Sequence, residues 1–428
     1  MRAGVARVTI TPPVGVDLCG YIARDQPSLG VLDDLHACAL FIESGGERLL
    51  WVHADLIGFD DGYAARVRAA LAGRLGLERR QVILSATHTH SGPATVTLRG
   101  CGDPDPAYLA MLERYLTGAA LAAARTAEPV TLHFAEGSAQ VSCDRRTRSS
   151  HSHTDPHLPV LALRRPDGTF LAVVANYAVH NVALSHGNRL ISADLAGVAA
   201  RHARHVLPGR PAVLLTNGGC GNLNPASRGM EPMRTHGTAL GAAIVQAVLL
   251  SAPCSDDGDG LASREEHLLL PLDVLTEAQV RAEAARILDG GTAGPEDAAA
   301  GRQRRAMTAW RDETLAALAA GPATSRETDL QILRIGPATF VGIGAEVFSR
   351  LADDLRQVCG PRVYVVGYAN GDLGYLPFRE AYAEGGYEIE WAHRYYTQFR
   401  MAPGAFEILR ERAVAGIAAL DAPLGGRA

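Results

Sequence analysis

Ser85-Ala86-Thr87-His88-Thr89-His90-Ser91-Gly92-Pro93 is the stretch from which the rest of this chain is best read. It follows Gln81-Val82-Ile83-Leu84, a short apolar run with β-branched residues, which predicts a buried strand. Gly92-Pro93 then turns the chain away. On extended backbone, residues i and i+2 point to the same side, about 7 Å apart. His88 and His90 are therefore expected to present two imidazoles on one face at a strand end. Taken alone, the pair reads slightly more readily as a hydrogen-bonded polar strand end than as a metal site, because zinc needs a third and a fourth ligand.

Composition narrows the field. A length of 428 residues suggests one large or two modest domains. With 47% hydrophobic and 20% charged residues, the balance is that of an ordinary globular protein. Lys and Arg number 41 against 46 Asp and Glu, so there is no basic field to draw in nucleic acid or an anionic membrane surface. No window approaches the ~20 apolar residues of a membrane span, so stable membrane anchoring is not expected. Residues 1–8 lack the apolar run of a signal peptide. The seven cysteines are odd in number, dispersed and without a CxxC pair, which leads to the expectation of reduced thiols and a cytoplasmic setting. Assembly into a homo-oligomer stays open.

Outward from the double histidine, strands alternate with helices. Strands are expected at 5–10, 35–43 and 49–55, with Gly45-Gly46 as the hairpin turn between the last two. A helix follows at 62–76, and a longer one at 106–127 after Asp103-Pro104-Asp105-Pro106. Strands at 130–136, 159–164, 170–177 and 213–216 alternate with helices at 195–206 and 236–250. Residues 253–264 read as a polar break whose acids lack the spacing of a calcium loop. Two Ala/Arg/Glu-rich helical stretches flank the Gly290–Gly294 loop, so 265–325 is expected to be a helical insertion within a single domain spanning 1–428. Strands return at 329–335, 338–343 and 362–368. A helix is expected at 346–358, with Glu346 in its first turn, where a carboxylate suits the helix dipole. The alternation predicts an α/β fold, a mixed β-sheet core covered by helices.

Several reactive residue types share one topological position. His88 and His90 follow one expected strand, and His180 ends the segment Asn176-Tyr177-Ala178-Val179-His180. The loop Asn217–Pro225 holds Gly219, Cys220 and Asn224, and its glycine density predicts tight backbone with amides turned toward a ligand. Cys220 reads as a small buried thiol in preference to a nucleophile, and this tight loop is expected to contact the substrate at Gly219 and Cys220. Glu346 follows a strand through a short glycine turn, and Tyr375 lies in the Gly/Asn loop after another. In α/β sheets, ligand sites lie beyond the carboxyl ends of strands. Two histidines, a carboxylate and a further oxygen donor suit Zn²⁺ with room for water.

The chain resembles the N-terminal catalytic domain of the neutral (non-lysosomal) ceramidase family. The resemblance is carried by Gly4–Tyr21, Ala86–Pro93 (ATHTHSGP), Asp155-Pro156, Asn176–His180, Arg189–Asp194 (RLISAD), Gly218–Pro225, Gly344–Phe348 and Ala369–Tyr387 (ANGDLGYLPFREAYAEGGY). These segments occur in the family's order, from near residue 4 to near 390. The resemblance implies a zinc amidohydrolase with His88, His180, Glu346 and Tyr375 on the metal and His90 as a second active-site histidine near the scissile group. It implies substrate contacts at Arg145, with Arg146 as the near alternative, and at Tyr387.

The departures from the family pattern shape the expected chemistry. The family carries a Gly-Asp-x-Ser-Pro-Asn type motif, and here the segment is Gly221-Asn222-Leu223-Asn224-Pro225. Asn224 replaces the active-site serine, and an amide is neither a nucleophile nor a base near pH 7. Asn224 is left the role of donating to a substrate carbonyl. A short member without the family's C-terminal β-sandwich is expected, and ceramide itself is not the expected substrate. The leading expectation is zinc-dependent hydrolysis of a carboxamide in a small molecule, with His90 as proton shuttle. Acyl transfer or amide-forming cyclisation at the same site is the alternative. A degenerate, non-catalytic binding protein is the third.

Overall fold

Three β-sheets repeat one order of elements in this computed structural model, which describes residues 1–147, 149–254, 260–289 and 298–420. In the first, Arg2–Thr9 pairs with His36–Ser44, which pairs with Glu47–Ala54, which pairs in parallel with Val82–Ala86. In the second, the same roles fall to Thr131–Ser138, His157–Arg164, Phe170–Tyr177 and Ala212–Asn217. In the third they fall to Leu261–Pro271, Ser325–Ile335, Ala338–Ile343 and Val363–Val366. Glu128–Pro129 and Ala252–Pro253 extend the first two sheets at their edges.

Turn chemistry and crossover length dictate this plan. Strands two and three of each sheet are joined by short hairpins at Gly45-Gly46, Asp167-Gly168 and Gly336-Pro337. Strands three and four run parallel and therefore need a crossover, supplied by the helices Asp61–Leu75, Asp194–Val206 and Arg350–Cys359. A second helix backs each sheet, namely Pro106–Arg125, Met230–Leu249 and Ala405–Leu420. The other faces of the three sheets meet in one shared core, with Leu40 and Trp51 from the first, Leu161, Val174 and Leu214 from the second, and Leu333, Phe340 and Val366 from the third. Phe170–Tyr177 is buried at every residue, as a strand covered on both faces requires. Each such Val, Leu or Phe side chain contributes about 1.5–3 kcal/mol by leaving water.

Most expected elements are present within a few residues of their expected ends. Four readings need correction. Leu261–Pro271 is an eleven-residue strand, where a polar break and the start of an insertion were expected. Its polar outer residues hide the strand pattern, since only Leu261, Leu268 and Leu270 are buried. The helical part of 265–325 therefore starts later, with Glu277–Asp289 and Ala298–Ala320. Glu346 is not in a helical turn but on the two-residue strand Glu346–Val347, paired in parallel with Tyr375–Leu376. His88 is not on extended backbone: its φ is 62°. The acidic loop at 255–259 and the loop at Gly290–Gly294 lie outside the described residues. Among the described residues no helix is long and apolar enough to cross a membrane.

Candidate metal centre

The threefold plan determines which residues meet. Ile57, His180 and Glu346 each stand three residues past the third strand of their sheet, beyond Ala54, Tyr177 and Ile343. His88 and Tyr368 each stand two residues past a fourth strand, beyond Ala86 and Val366, and both have left-handed backbone, with φ of 62° and 53°. Their rings stack at 3.9 Å and 12°. Asparagine amides tie these loops together. Asn181 and Asn217 both donate to the Thr87 carbonyl, at 2.5 and 3.1 Å, and the Asn370 carbonyl oxygen accepts from the Leu84 amide at 2.9 Å.

His88 and His180 are oriented in the same way. Nδ1 of His88 donates to the Ile57 carbonyl at 2.6 Å, and Nδ1 of His180 donates to the Cys220 carbonyl at 2.7 Å. A carbonyl only accepts, so each Nδ1 carries a hydrogen, and in the neutral ring, the form that binds a metal, Nε2 is left with a lone pair. Both lone pairs turn to one carboxylate. Glu346 Oε2 lies 2.9 Å from His180 Nε2 and 3.4 Å from His88 Nε2. His90 Nε2 meets His88 Nε2 at 3.0 Å, while its Nδ1 is buried, without a partner among the described residues, beside the Tyr21 ring, whose centroid is 5.1 Å away. Tyr375 reaches His180 Nε2 with its hydroxyl at 3.4 Å and lies parallel to that imidazole.

The donor set tests whether a cation belongs here. Burial pulls His180 down to about 4, against the hydrogen bond to Glu346 that raises it, so the ring is neutral near pH 7. Burial pushes the Glu346 carboxyl up, but His180 and His88 outweigh it and hold the group well below the usual carboxylate range. Neutral imidazole nitrogens and an ionised carboxylate thus face one another with more lone pairs than hydrogens. A cation between them removes that repulsion, and imidazole with carboxylate is a zinc-type set. Ligand atoms of His88, His90 and His180 all lie within 4.8 Å of one another. The residues fit a divalent metal.

The remaining expected site residues divide. Arg145 borders the cluster, with its guanidinium 5.3 Å over the Tyr375 ring and 5.8 Å over Tyr387, and it donates to Glu388 Oε1 and the Gly221 carbonyl, both at 2.6 Å. Arg146 donates to Glu388 Oε2 at 2.9 Å and packs on Phe348. Both arginines and the half-exposed Tyr387 line a cavity of about 370 Å³ with Glu384 and Glu388. Asn224 lies on the strand Leu223–Pro225, paired with Ser142–Asp144. Its Oδ1 is buried without a partner, and among the described residues it bonds none of the cluster's side chains.

Two expected substrate contacts are corrected. Cys220 is fully buried with its thiol 3.2 Å from the Tyr368 hydroxyl, so it serves the site through its carbonyl, not by touching a substrate. Gly219 belongs to a run that packs backbone on backbone: a Cβ there would meet the Phe348 carbonyl at 3.2 Å, and one at Gly221 would meet the Glu346 carbonyl at 2.2 Å. Asn222 is structural too, donating to Asp144 Oδ2 at 2.9 Å and accepting from the Ser349 amide at 2.8 Å. Ser349, His153 and Asp353 are linked at 2.9 and 2.5 Å, but Ser349 is fully buried and donates to the His153 carbonyl, which rules it out as a nucleophile.

Sequence reading missed two tyrosines. Tyr396 donates to Glu346 Oε1 at 2.6 Å, and Tyr368 stacks on His88. Tyr368 stands two residues past a fourth strand, as His88 does, but the strand expected at 362–368 ran through it and hid the parallel. Tyr396 follows a short 3-10 turn, and nothing in its own segment points to the cluster.

A mixed α/β fold with a buried histidine–carboxylate cluster at its strand ends defines the class. The crystal structure of neutral ceramidase from Pseudomonas aeruginosa superposes with a TM-score of 0.76 at 20% identity, covering 100% of this chain and 76% of that one. Residues 1–99 match the family model of neutral/alkaline non-lysosomal ceramidase, N-terminal. The neutral ceramidase of Pseudomonas aeruginosa is 28% identical over 251 residues, 52% of this chain and 37% of that protein. That of Drosophila melanogaster is 26% identical over 221 residues, 46% of this chain and 31% of that protein. The chain is similar to the neutral ceramidase family, and its matched part covers only about a third of the length of these relatives.

Proposed function

We propose that this chain hydrolyses the carboxamide bond of a small N-acyl compound other than ceramide. The observation that carries the reading is the buried convergence of His88, His180 and Glu346, three metal-type donors aimed at one another, in a chain similar to this family. His88, His180, Glu346 and Tyr375 would hold the metal, for which zinc is the choice, and a bound zinc supplies Lewis acidity and a water whose pKa falls toward ~7.

The chain's own residues divide the remaining work. Burial, with His88 and His180 beside it, holds His90 neutral, so a pKa near the working pH is not what equips it. It starts as a proton acceptor. The water oxygen bonds to the acyl carbon, the C–N bond breaks, and His90 carries the water's proton to the leaving amine nitrogen. Burial raises the Tyr375 phenol well above its usual range, against the pull of Arg145, so it remains a hydrogen-bond donor. Asn224 offers an amide donor to the acyl oxygen. The cavity beside Tyr387 is walled by Arg145, Arg146, Glu384 and Glu388, a charged lining that suits a polar acyl compound better than a lipid with two alkyl chains. Tyr387 is 48% exposed, leaving the mouth open to water, which favours hydrolysis over acyl transfer. The seven free cysteines accord with a reducing, cytoplasmic setting.

The test is a panel of N-acyl amines and N-acyl amino acids, with ceramide included, run on chelator-treated protein with and without Zn²⁺. Release of free acid and amine only with zinc is expected. Amide products from an acyl donor and added amine would favour acyl transfer, and absence of both turnover and zinc uptake would overturn the enzyme reading. Loss of metal in acid is a further expectation. Protons compete with zinc for the ligating imidazoles, so zinc content and turnover should fall together as the pH is lowered. Turnover that persists after the zinc has gone would overturn the metal reading.

A further inference from the structure

The two oxygens of Glu346 face different neighbours. Oε2 is the one turned to the histidines, at 2.9 and 3.4 Å. Oε1 accepts from the hydroxyl of Tyr396 at 2.6 Å, within the range of a charge-assisted O–H···O⁻ bond. We infer that Tyr396 is a positioning residue of the metal centre: by holding Oε1, it presents Oε2 alone to the His88–His180 pair. The inference rests on the metal reading above and adds to it a residue that the expected ligand set does not contain.

Local structure shows how Tyr396 gets there. Its ring lies against Gly374, where a Cβ would come within 2.9 Å of the ring carbons at a φ of 81°. Any side chain at 374 would push the ring off and would strain the backbone. The same glycine's carbonyl accepts from the Glu346 amide at 2.9 Å, so one residue fixes both partners of the Tyr396–Glu346 bond. The Tyr396 backbone is held in turn by Arg99, whose guanidinium donates to its carbonyl at 3.2 Å. Tyr396 also forms part of the wall of a cavity of about 540 Å³ with Trp310, Phe399 and Arg326.

A carboxylate that loses its anchoring donor is free to rotate, and partners of this kind change metal affinity by about 10–100-fold. The experiment uses the full chain, stripped of metal and titrated with Zn²⁺ against a chromophoric chelator. Tyr396→Phe should bind zinc about 10–100-fold more weakly and release it faster, while the metal-free protein still unfolds cooperatively, its melting temperature lowered only by the lost hydrogen bond to Glu346. Its kcat should fall while KM holds. Gly374→Ala, which keeps the hydroxyl but displaces the ring, should weaken zinc in the same direction. Tyr395→Phe, the neighbouring tyrosine, should leave affinity as in the wild type. Wild-type affinity in Tyr396→Phe overturns the inference and leaves the metal reading intact. So does a weakening matched by an equal loss of metal-free stability, which would mark Tyr396 as part of the packing only. A wild-type chain that takes up no zinc overturns both.

Discussion

Glu346→Gln should empty the metal centre without unfolding the chain. Glu346 is the anion of the cluster, and it faces two neutral imidazole lone pairs. The amide has nearly the same shape but no charge, so zinc affinity should drop by more than ~100-fold, beyond the loss seen for supporting contacts. Turnover of an N-acyl substrate should fall by at least the ~10²–10⁴ that single catalytic groups contribute. The fold should persist. The new NH₂ can donate to His180 Nε2 at the position now held by Oε2, and Tyr396 keeps its bond to the remaining oxygen. The site favours the charged carboxylate, so the neutral amide gives up that part of the stability while keeping the contacts. The metal-free variant should therefore unfold cooperatively, with a melting temperature at or somewhat below that of the metal-free wild type. Elemental analysis and calorimetry on the same preparations check both halves, and a variant that retains stoichiometric zinc removes Glu346 from the ligand set.

His90→Ala should separate chemistry from metal binding. Among the described residues, His90 hydrogen-bonds the cluster only at His88 Nε2, at 3.0 Å, and its Nδ1 has no partner. Without it, His88 and His180 are still oriented by the carbonyls of Ile57 and Cys220, and Glu346 still faces both. Zinc content should stay at the wild-type level while kcat falls ~10²–10⁴-fold, the contribution of a positioned proton carrier. Full turnover overturns the shuttle role. Loss of zinc would place His90 among the ligands, which the mutual closeness of the three histidines also allows.

The members of the cluster were legible because they stand just past strand ends. Val82–Ala86 and Phe170–Tyr177 are apolar, buried and bounded by polar turns, so the point where each strand stops can be read from the chain. Histidine, glutamate and tyrosine just past such points are costly to bury without partners, which is why they drew notice. The conformations were less legible. The left-handed turn at His88 depends on its contacts with the Ile57 carbonyl and the Tyr368 ring, both distant in the chain. Glu346 was misread as helical because Gly344-Ala345-Glu346 is a plausible helix start, whereas pairing with Tyr375 decides its backbone. The glycine loop was misread as ligand-facing, since a glycine that lets two backbones touch looks the same in sequence as one that bares its amide.

By itself, the sequence determined the element order, the reactive residue types and their position at the carboxyl ends of strands. Local propensity and hydrophobic period act over a few residues, and both survive without a fold. Only the tertiary structure decided that three sheets share one plan and one core, so that position three past the third strand recurs as Ile57, His180 and Glu346. It alone brought Tyr396 to Glu346 across 50 residues and His180 to Glu346 across 166. Those contacts exist because three buried sheets converge, and no period within any one segment encodes the approach of the other two.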